Sequence, residues 1–365
     1  MINRRRILDN KFIPKPYLKF TALEDGTFKH NTDDLEYSLN DGKTWTALPA
    51  NTDTPTIHAG ESICWRGTMN PSIKDQWFVS TGKFDVSGNP LSLKYKNKFI
   101  GAPCVDYQFY KLFCGCTNLI NAKDLIIPDD FNNRTTVCGR MFEDCTSLIS
   151  APKLPALILS IYCYFCMFRN CKSLVVPPEL PAITLADSCY SSMFIGCINM
   201  TTIPDLFATS IPVSSYNNMF TDCNSLKDII LYEGMTTIGT AMFYGCRGLE
   251  SLYIPSTITS ISSTAFYKCP KLKRIDISNL NNYLNIILDN NTSCPTFNGS
   301  DLYLNGEKIT EVTLSKADAN RFCGCTSLQK VNWDGNITSI GSNIFNGCTG
   351  LTEITIPSTV TTIGT

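Results

Sequence analysis

The chain has 365 residues, 43% hydrophobic and 17% charged, so it can fill a core and global disorder is excluded. Lys+Arg is 31 against Asp+Glu 32, a net charge of −1 that offers no electrostatic footprint for a nucleic-acid backbone. Only two histidines occur, which leaves histidine-based catalysis and most zinc chemistry almost without material.

Residues 1–15 begin Met1-Ile-Asn-Arg-Arg-Arg and read as an N-terminal arm. Asp9, Asn10 and Lys11 stand where the apolar stretch of a secretory signal would run, so no signal peptide is expected. From 16 to 100 the chain reads as short strands: Tyr17–Leu23, Leu35–Leu39, Thr44–Leu48 after an Asp41-Gly42 hairpin turn, Ser62–Arg66 and Gly82–Ser87. That series predicts a small β-sandwich serving as an attachment domain. His30 and His58 have no serine or cysteine motif around them and are expected in turns or at the surface.

A repeat organises 101–365. Phe-x-x-Cys-x-x-Leu begins at Phe113, Phe142, Phe168, Phe220, Phe243, Phe266, Phe322 and Phe345, and a further copy at Phe194 ends in Met200. Spacings between successive Phe residues are 29, 26, 26, 26, 23, 23, 56 and 23. Two residues after each Phe stand Gly115, Asp144, Asn170, Gly196, Asp222, Gly245, Lys268, Gly324 and Gly347. All but Lys268 tolerate a left-handed backbone, so a tight turn is expected before each Cys. Phe, Cys and Leu recur in every rung and should stack inward, with Cys as a small buried hydrophobe. Rungs of this size cannot close a core alone and must stack into a solenoid of about nine or ten turns.

Beyond the Leu, Leu249–Pro255 and Leu351–Pro357 alternate like strands, with a second short strand at Thr257–Ile261 and Thr359–Ile363. Earlier rungs carry Ala-Pro-x-Leu-Pro-Ala instead, as at Ala151–Ala156. Leu154–Phe168 is uncharged but too short for a membrane span, so no membrane insertion is expected. The 56-residue interval holds one rung plus an insertion near 279–316, in which Asn305-Gly306 signals a hairpin. A hairpin projecting from the rod and a distorted rung are both open readings. Thr362–Thr365 matches Thr237–Thr240, which Phe243 follows. The expectation is that the polypeptide continues or that another subunit covers this end.

Met-Phe-x-x-Cys-x-Ser-Leu with Ala-Pro-x-Leu-Pro-Ala and Ile-Pro-Ser-Thr-x-Thr-x-Ile resembles the BspA-type leucine-rich repeat family over roughly 104–365. The resemblance implies a mainly β solenoid and a role in adhesion or recognition at cell surfaces, and it supplies no catalytic residues. Leu23–Phe28, Tyr37–Trp45 and Ser87–Leu93 are similar to the domain preceding such repeats in proteins of gut bacteria and their phages.

Catalytic chemistry finds no footing: phosphate-binding loops, dinucleotide fingerprints and G-x-S-x-G are absent, and no cofactor or metal is expected. Cys163-Tyr-Phe-Cys166 has a metal spacing, but no second pair completes a zinc site and packing is the preferred reading. Tyr164, Tyr190 and Tyr216 share a column and are read as rings packed along the rod, ahead of carbohydrate contact. The residue just after each Phe varies most. Glu143, Arg169, Ile195, Thr221, Tyr244, Tyr267 and Asn346, with Cys114 and Cys323 in the same column, form the candidate binding face. The expected function is a non-enzymatic recognition module, extracellular, in a phage tail or otherwise virion-associated, contacting a glycan or protein of a host surface. Homo-oligomer or virion contacts would run through the N-terminal domain. A bacterial surface adhesin and a purely structural spacer are the alternatives.

Overall fold

The computed structural model describes residues 16–70, 78–131, 133–208, 210–212, 214–335 and 337–364, and the expected arm over 1–15 lies outside them. The N-terminal region holds β1 (Leu18–Ala22), β2 (Phe28–His30), β3 (Leu35–Ser38), β4 (Thr46–Leu48), β5 (Ser62–Gly67), β6 (Phe78–Ser80) and β7 (Phe84–Gly88). A short α1 (Ser92–Tyr95) leads on to β8 (Leu119–Leu125). One sheet runs β4-β3-β5-β1-β7-β8, while β2 and β6 pair separately. In β1 the alternate residues Leu18, Phe20 and Ala22 are buried. Phe20 lies 4.9 Å from Phe78 and 5.3 Å from Phe28, ring centre to ring centre, so the β2–β6 pair packs on the sheet through these two rings. The Asp41-Gly42 turn has φ of 55° and 83°, the left-handed pair that a two-residue hairpin loop demands. The sequence reading passed over β2 and β6, and with them the setting of His30. That histidine is buried at the end of β2, edge-on to Trp65 and Phe78, and not in a surface turn. Burial pushes its pKa down to about 4.

The first rung is continuous with this core. Phe113 sits 5.9 Å from Phe20 and starts a stack with Phe142 at 5.5 Å. Rings at Phe168, Phe194, Phe220, Phe243 and Phe266 follow at 5.4–5.8 Å, nearly parallel. The turn before each Cys is left-handed in every rung, Lys268 included at φ 62°. In the first five rungs two further left-handed residues precede it at intervals of four, as in Tyr162, Cys166 and Asn170, and in the last four rungs one does, as Ala241 before Gly245. This gives each rung a run of consecutive turns in which alternate N–H groups close a turn or reach the next rung. Lys111 N donates to Gly139 O and Phe113 N to Met141 O, while Leu112 N returns to Phe109 O. The buried backbone is thereby satisfied without a strand.

Cysteine does more here than fill space. Cys145 Sγ donates to Phe113 O at 2.9 Å, Cys171 to Phe142 O at 3.1 Å and Cys197 to Phe168 O at 3.1 Å. Cys223, Cys246, Cys269 and Cys348 repeat the bond to the Phe one rung earlier. Each such carbonyl also accepts the N–H three residues on, as Phe142 O does from Cys145 N. The thiol takes its second lone pair, which Ala or Val could not do. All the cysteines are free thiols.

On the far side of the rung one construction gives way to another along the chain. From 104 to 226, β8 is the only strand among the described residues, and elsewhere there are isolated bridges such as Ile158 to Thr184. The Ala-Pro-x-Leu-Pro tracts explain this, since proline brings no N–H to a ladder. Beyond them come β9 (Asp228–Ile230), β10 (Thr237–Ile238), β11 (Ser251–Ile254), β12 (Ser260–Ile261) and β13 (Arg274–Ile277). These are followed by α2 (Leu280–Asn285), β14 (Ile287–Leu288), β15 (Asp301–Leu304) and β16 (Glu307–Lys308). Strands β9, β11, β13 and β15 form one parallel sheet and β10, β12 and β14 another.

The insertion is a rung that carries a hairpin, and the hairpin lies along the sheet edge and does not project from it. Strand β15 continues the parallel ladder as a rung, and the Asn305-Gly306 turn returns β16 antiparallel along its edge. In that rung Asn298 Nδ2 donates to Phe266 O at 2.8 Å, in the place of the missing thiol. The chain then opens a new pair, β17 (Glu311–Leu314) and β18 (Lys330–Trp333), and the last, β19 (Ser339–Ile340) with β20 (Thr362–Ile363). The strand expected over Leu351–Pro357 does not form. This segment is held to its neighbour by Trp333 Nε1 donating to Thr355 O at 2.7 Å and not by a ladder.

Candidate recognition surfaces

The column after each Phe does not present a uniform face. Glu143 is buried, between Arg140 at 3.3 Å and Arg169 at 3.6 Å, and burial raises its pKa against the pull of the two guanidiniums. Cys114 is half-buried next to it and Cys323 is buried. Ile195 and Thr221 are half-buried, with the Thr221 hydroxyl donating to Ala241 O. Tyr244 and Tyr267 come together at 5.9 Å, tilted by 46°, with the Lys268 ammonium 5.1 Å from the first ring. Phe297, in the irregular rung, extends the pair at 5.9 Å. Asn346 is exposed: its carbonyl accepts from Gly324 N, and its side-chain amide donates to Asn343 in its own turn. The structure thus brings Glu143 to Arg169 and Tyr244 to Tyr267, and joins neither pair to Asn346. Phe297 had no signal in the repeat, because its rung lacks the Phe-x-x-Cys pattern.

The tyrosine column is interior. Tyr164, Tyr190 and Tyr216 are buried and stack at 6.0 and 6.3 Å. Cys163 and Cys166 are buried as well, with pKa values raised by burial. Among the described residues no group of His, Cys, Asp and Glu is arranged to hold a metal ion.

A second surface, absent from the sequence reading, is the outward face of the β9–β11–β13–β15 sheet. Parallel in-register pairing aligns Ile230, Tyr253, Asp276 and Tyr303 in one row and Asp228, Ser251, Arg274 and Asp301 in the next. Tyr253 lies between the buried Leu252 and Ile254, and its alignment with its neighbours comes from the registry between strands. Arg274 forks onto Asp276 with two bonds of 2.7 Å and lies 4.1 Å over the Tyr303 ring. Lys308 of the return strand pairs with Asp301 at 2.6 Å, and Ser251 donates to Asp228 at 2.6 Å. Ile230 is 76% exposed. A shallow trough of about 600 Å³ crosses the face from Asp228 to the Asn305-Gly306 turn, which walls off one end. Its floor offers a tyrosine ring, an exposed isoleucine and carboxylates. That is the material of reversible contact.

The model of the BspA type leucine-rich repeat region matches residues 187–301 and 297–365, in six copies. No curated protein matches the chain. Among solved structures, a leucine rich cell surface protein from Faecalibacterium prausnitzii A2-165 is 18% identical, with 70% of this chain and 65% of that chain covered and a TM-score of 0.30. The present chain thus spans less than two thirds of that protein. A leucine-rich repeat protein from Bacteroides ovatus is also 18% identical, over 78% of this chain and 87% of that one, with a TM-score of 0.36.

Proposed function

We propose that this BspA-type leucine-rich repeat protein is a non-enzymatic recognition module whose β9–β11–β13–β15 face contacts a glycan or protein on a cell surface. The observation that carries the reading is the alignment of Ile230, Tyr253, Asp276 and Tyr303 from successive rungs beside an open trough. Ring stacking, thiol bonds and backbone ladders hold these side chains before any ligand arrives. Binding therefore orders little, and many modest contacts can add up. The N-terminal sheet is the attachment end. Its sequence likeness to domains of gut-bacterial and phage proteins supports a virion-associated setting, in a phage tail.

Two measurements test this. Glycan arrays and pull-downs from host envelopes should give a partner whose binding falls about tenfold or more on Tyr253→Ala. Failure to capture any partner would instead favour a structural spacer. Mass spectrometry of purified virions should contain the chain. Its recovery only from bacterial envelope fractions would move the module to a bacterial adhesin.

A further inference from the structure

One position departs from the interior of every other rung. The residue just before each repeat Phe is a buried Met, Leu, Ala or Ile in eight rungs, as at Met141, Met193 and Met242, and is Arg321 in the remaining one. Arg321 is 5% exposed. Its Nη1 donates to Tyr283 O at 3.0 Å and its Nη2 to Ile286 O at 2.5 Å, so it caps the last carbonyls around the C-terminus of α2. Its Nε has no hydrogen-bond partner among the described residues. Of the five guanidinium N–H groups only these two are bonded among the described residues, and no carboxylate pairs with the charge. Carbonyl dipoles offset a buried cation only in part, and an interior charge without a counter-ion is the costliest group a core can hold. Where a sequence breaks its own repeat rule at such cost, a ligand is the economical explanation.

A cavity adjoins the guanidinium. It lies between α2 and the end of β17, with Leu284, Leu314 and Ile344 as apolar walls and the amides of Asn281 and Asn285 at the rim. Asp318 also stands at the rim, but Lys316 holds its carboxylate at 2.8 Å, so that pair leaves the charge of Arg321 unbalanced. The volume is about 90 Å³, the space of about three water molecules. We propose that this cavity binds a short organic carboxylate of about two to four carbons. Its head would lie on the Arg321 guanidinium, a geometry suited to carboxylate oxygens. Its tail would lie against Leu284, Leu314 and Ile344. This site is independent of the sheet-face contact proposed above.

Equilibrium dialysis of the full chain with radiolabelled propionate tests it, at constant ionic strength in sodium chloride. The expected result is saturable binding of one propionate per chain, accompanied by a rise in Tm of about 3 °C at saturation. Arg321→Met restores the residue of the other rungs and should fold, while weakening propionate at least tenfold. Asn285→Trp is placed at the exposed rim, so it blocks the cavity without entering the core and should do the same. Binding unchanged in both variants, no binding to the parent chain, or an equal Tm rise when sodium sulfate replaces propionate at matched ionic strength would each overturn the proposal.

Discussion

From 104 to 226 the rungs return through proline tracts, whereas from 227 to 304 they return through the strands β9, β11, β13 and β15. The turn flank shares its main elements in both: stacked phenylalanines, a left-handed turn before each Cys and thiols bonded to the previous rung, with one left-handed residue fewer per rung in the second. The fold therefore depends on one flank. The other flank is free to be a tract without a ladder, or a sheet whose outward face aligns side chains across rungs. Only the second kind presents ordered rows, and that is where the proposed contact face lies.

The sharpest way to break this comparison is to cut the shared flank in each region. Phe168→Ala and Phe243→Ala should each lose about 3–5 kcal/mol, equally in the two kinds of rung. Tyr244→Ala, at the half-buried neighbouring position, should stay within about 1 kcal/mol. Urea midpoints decide it, and equal losses at Phe243 and Tyr244 would show that the inner and outer columns are confused. The return flank should respond asymmetrically. Tyr253→Pro, in a strand bonded on both sides, should cost about 3 kcal/mol or more. Pro155→Ala, in a tract, should change stability by less than about 1 kcal/mol.

Acid supplies an internal reference, because both histidines lie in the N-terminal sheet region and none in either set of rungs. His30 is held neutral by burial down to about pH 4, while its unfolded imidazole takes a proton near 6.5. Acidification thus favours the unfolded form, and stability should fall by about 2 kcal/mol between pH 6.5 and 5. His58 acts in the opposite sense: its bond to Asp25 raises its pKa, so its small contribution is present at low pH and lost above the folded pKa. Hydrogen exchange across this pH window should show the drop in the N-terminal sheet, and His30→Leu should abolish it. A drop shared evenly by the rungs would contradict the assignment. The smallest expected effect belongs to the thiols. Cys171→Ala and Cys246→Ala should each cost about 1–2 kcal/mol, and the serine variants less, as donors to the same carbonyls.

The sequence made the inward columns legible because Phe, Cys and Leu, with Met200 once in place of Leu, keep their spacing through every regular rung, and even Lys268 obeyed the turn its column required. What escaped has a common cause. Substitutes in the irregular rung, Asn298 for the thiol and Phe297 beside Tyr267, carry no motif and are recognisable only by their contacts. The additional left-handed residues, such as Tyr162 and Cys166, are not of types that announce that conformation. Alignment of Tyr253 with Asp276 and Tyr303 depends on registry between strands 23 or more residues apart. Glu143 looked outward because its column varies, yet two neighbouring arginines draw it in. The N-terminal strands were legible where a turn punctuated them, and His30 was misread because β2 is only three residues long.

The column of thiols has a consequence for how this protein is lost. Burial raises the pKa of Cys197 and Cys269 to about 12, which leaves about one part in 100,000 as thiolate at pH 7. Thiolate is the species that oxidants and disulfides attack, so the native protein resists both even in an oxidising medium. Unfolding removes that shelter from all but one of the cysteines together. In air the first complete unfolding event should then be the last, trapped by random cross-linking before the rungs can restack. The lifetime of the molecule would be set by how fast it opens and not by its equilibrium stability.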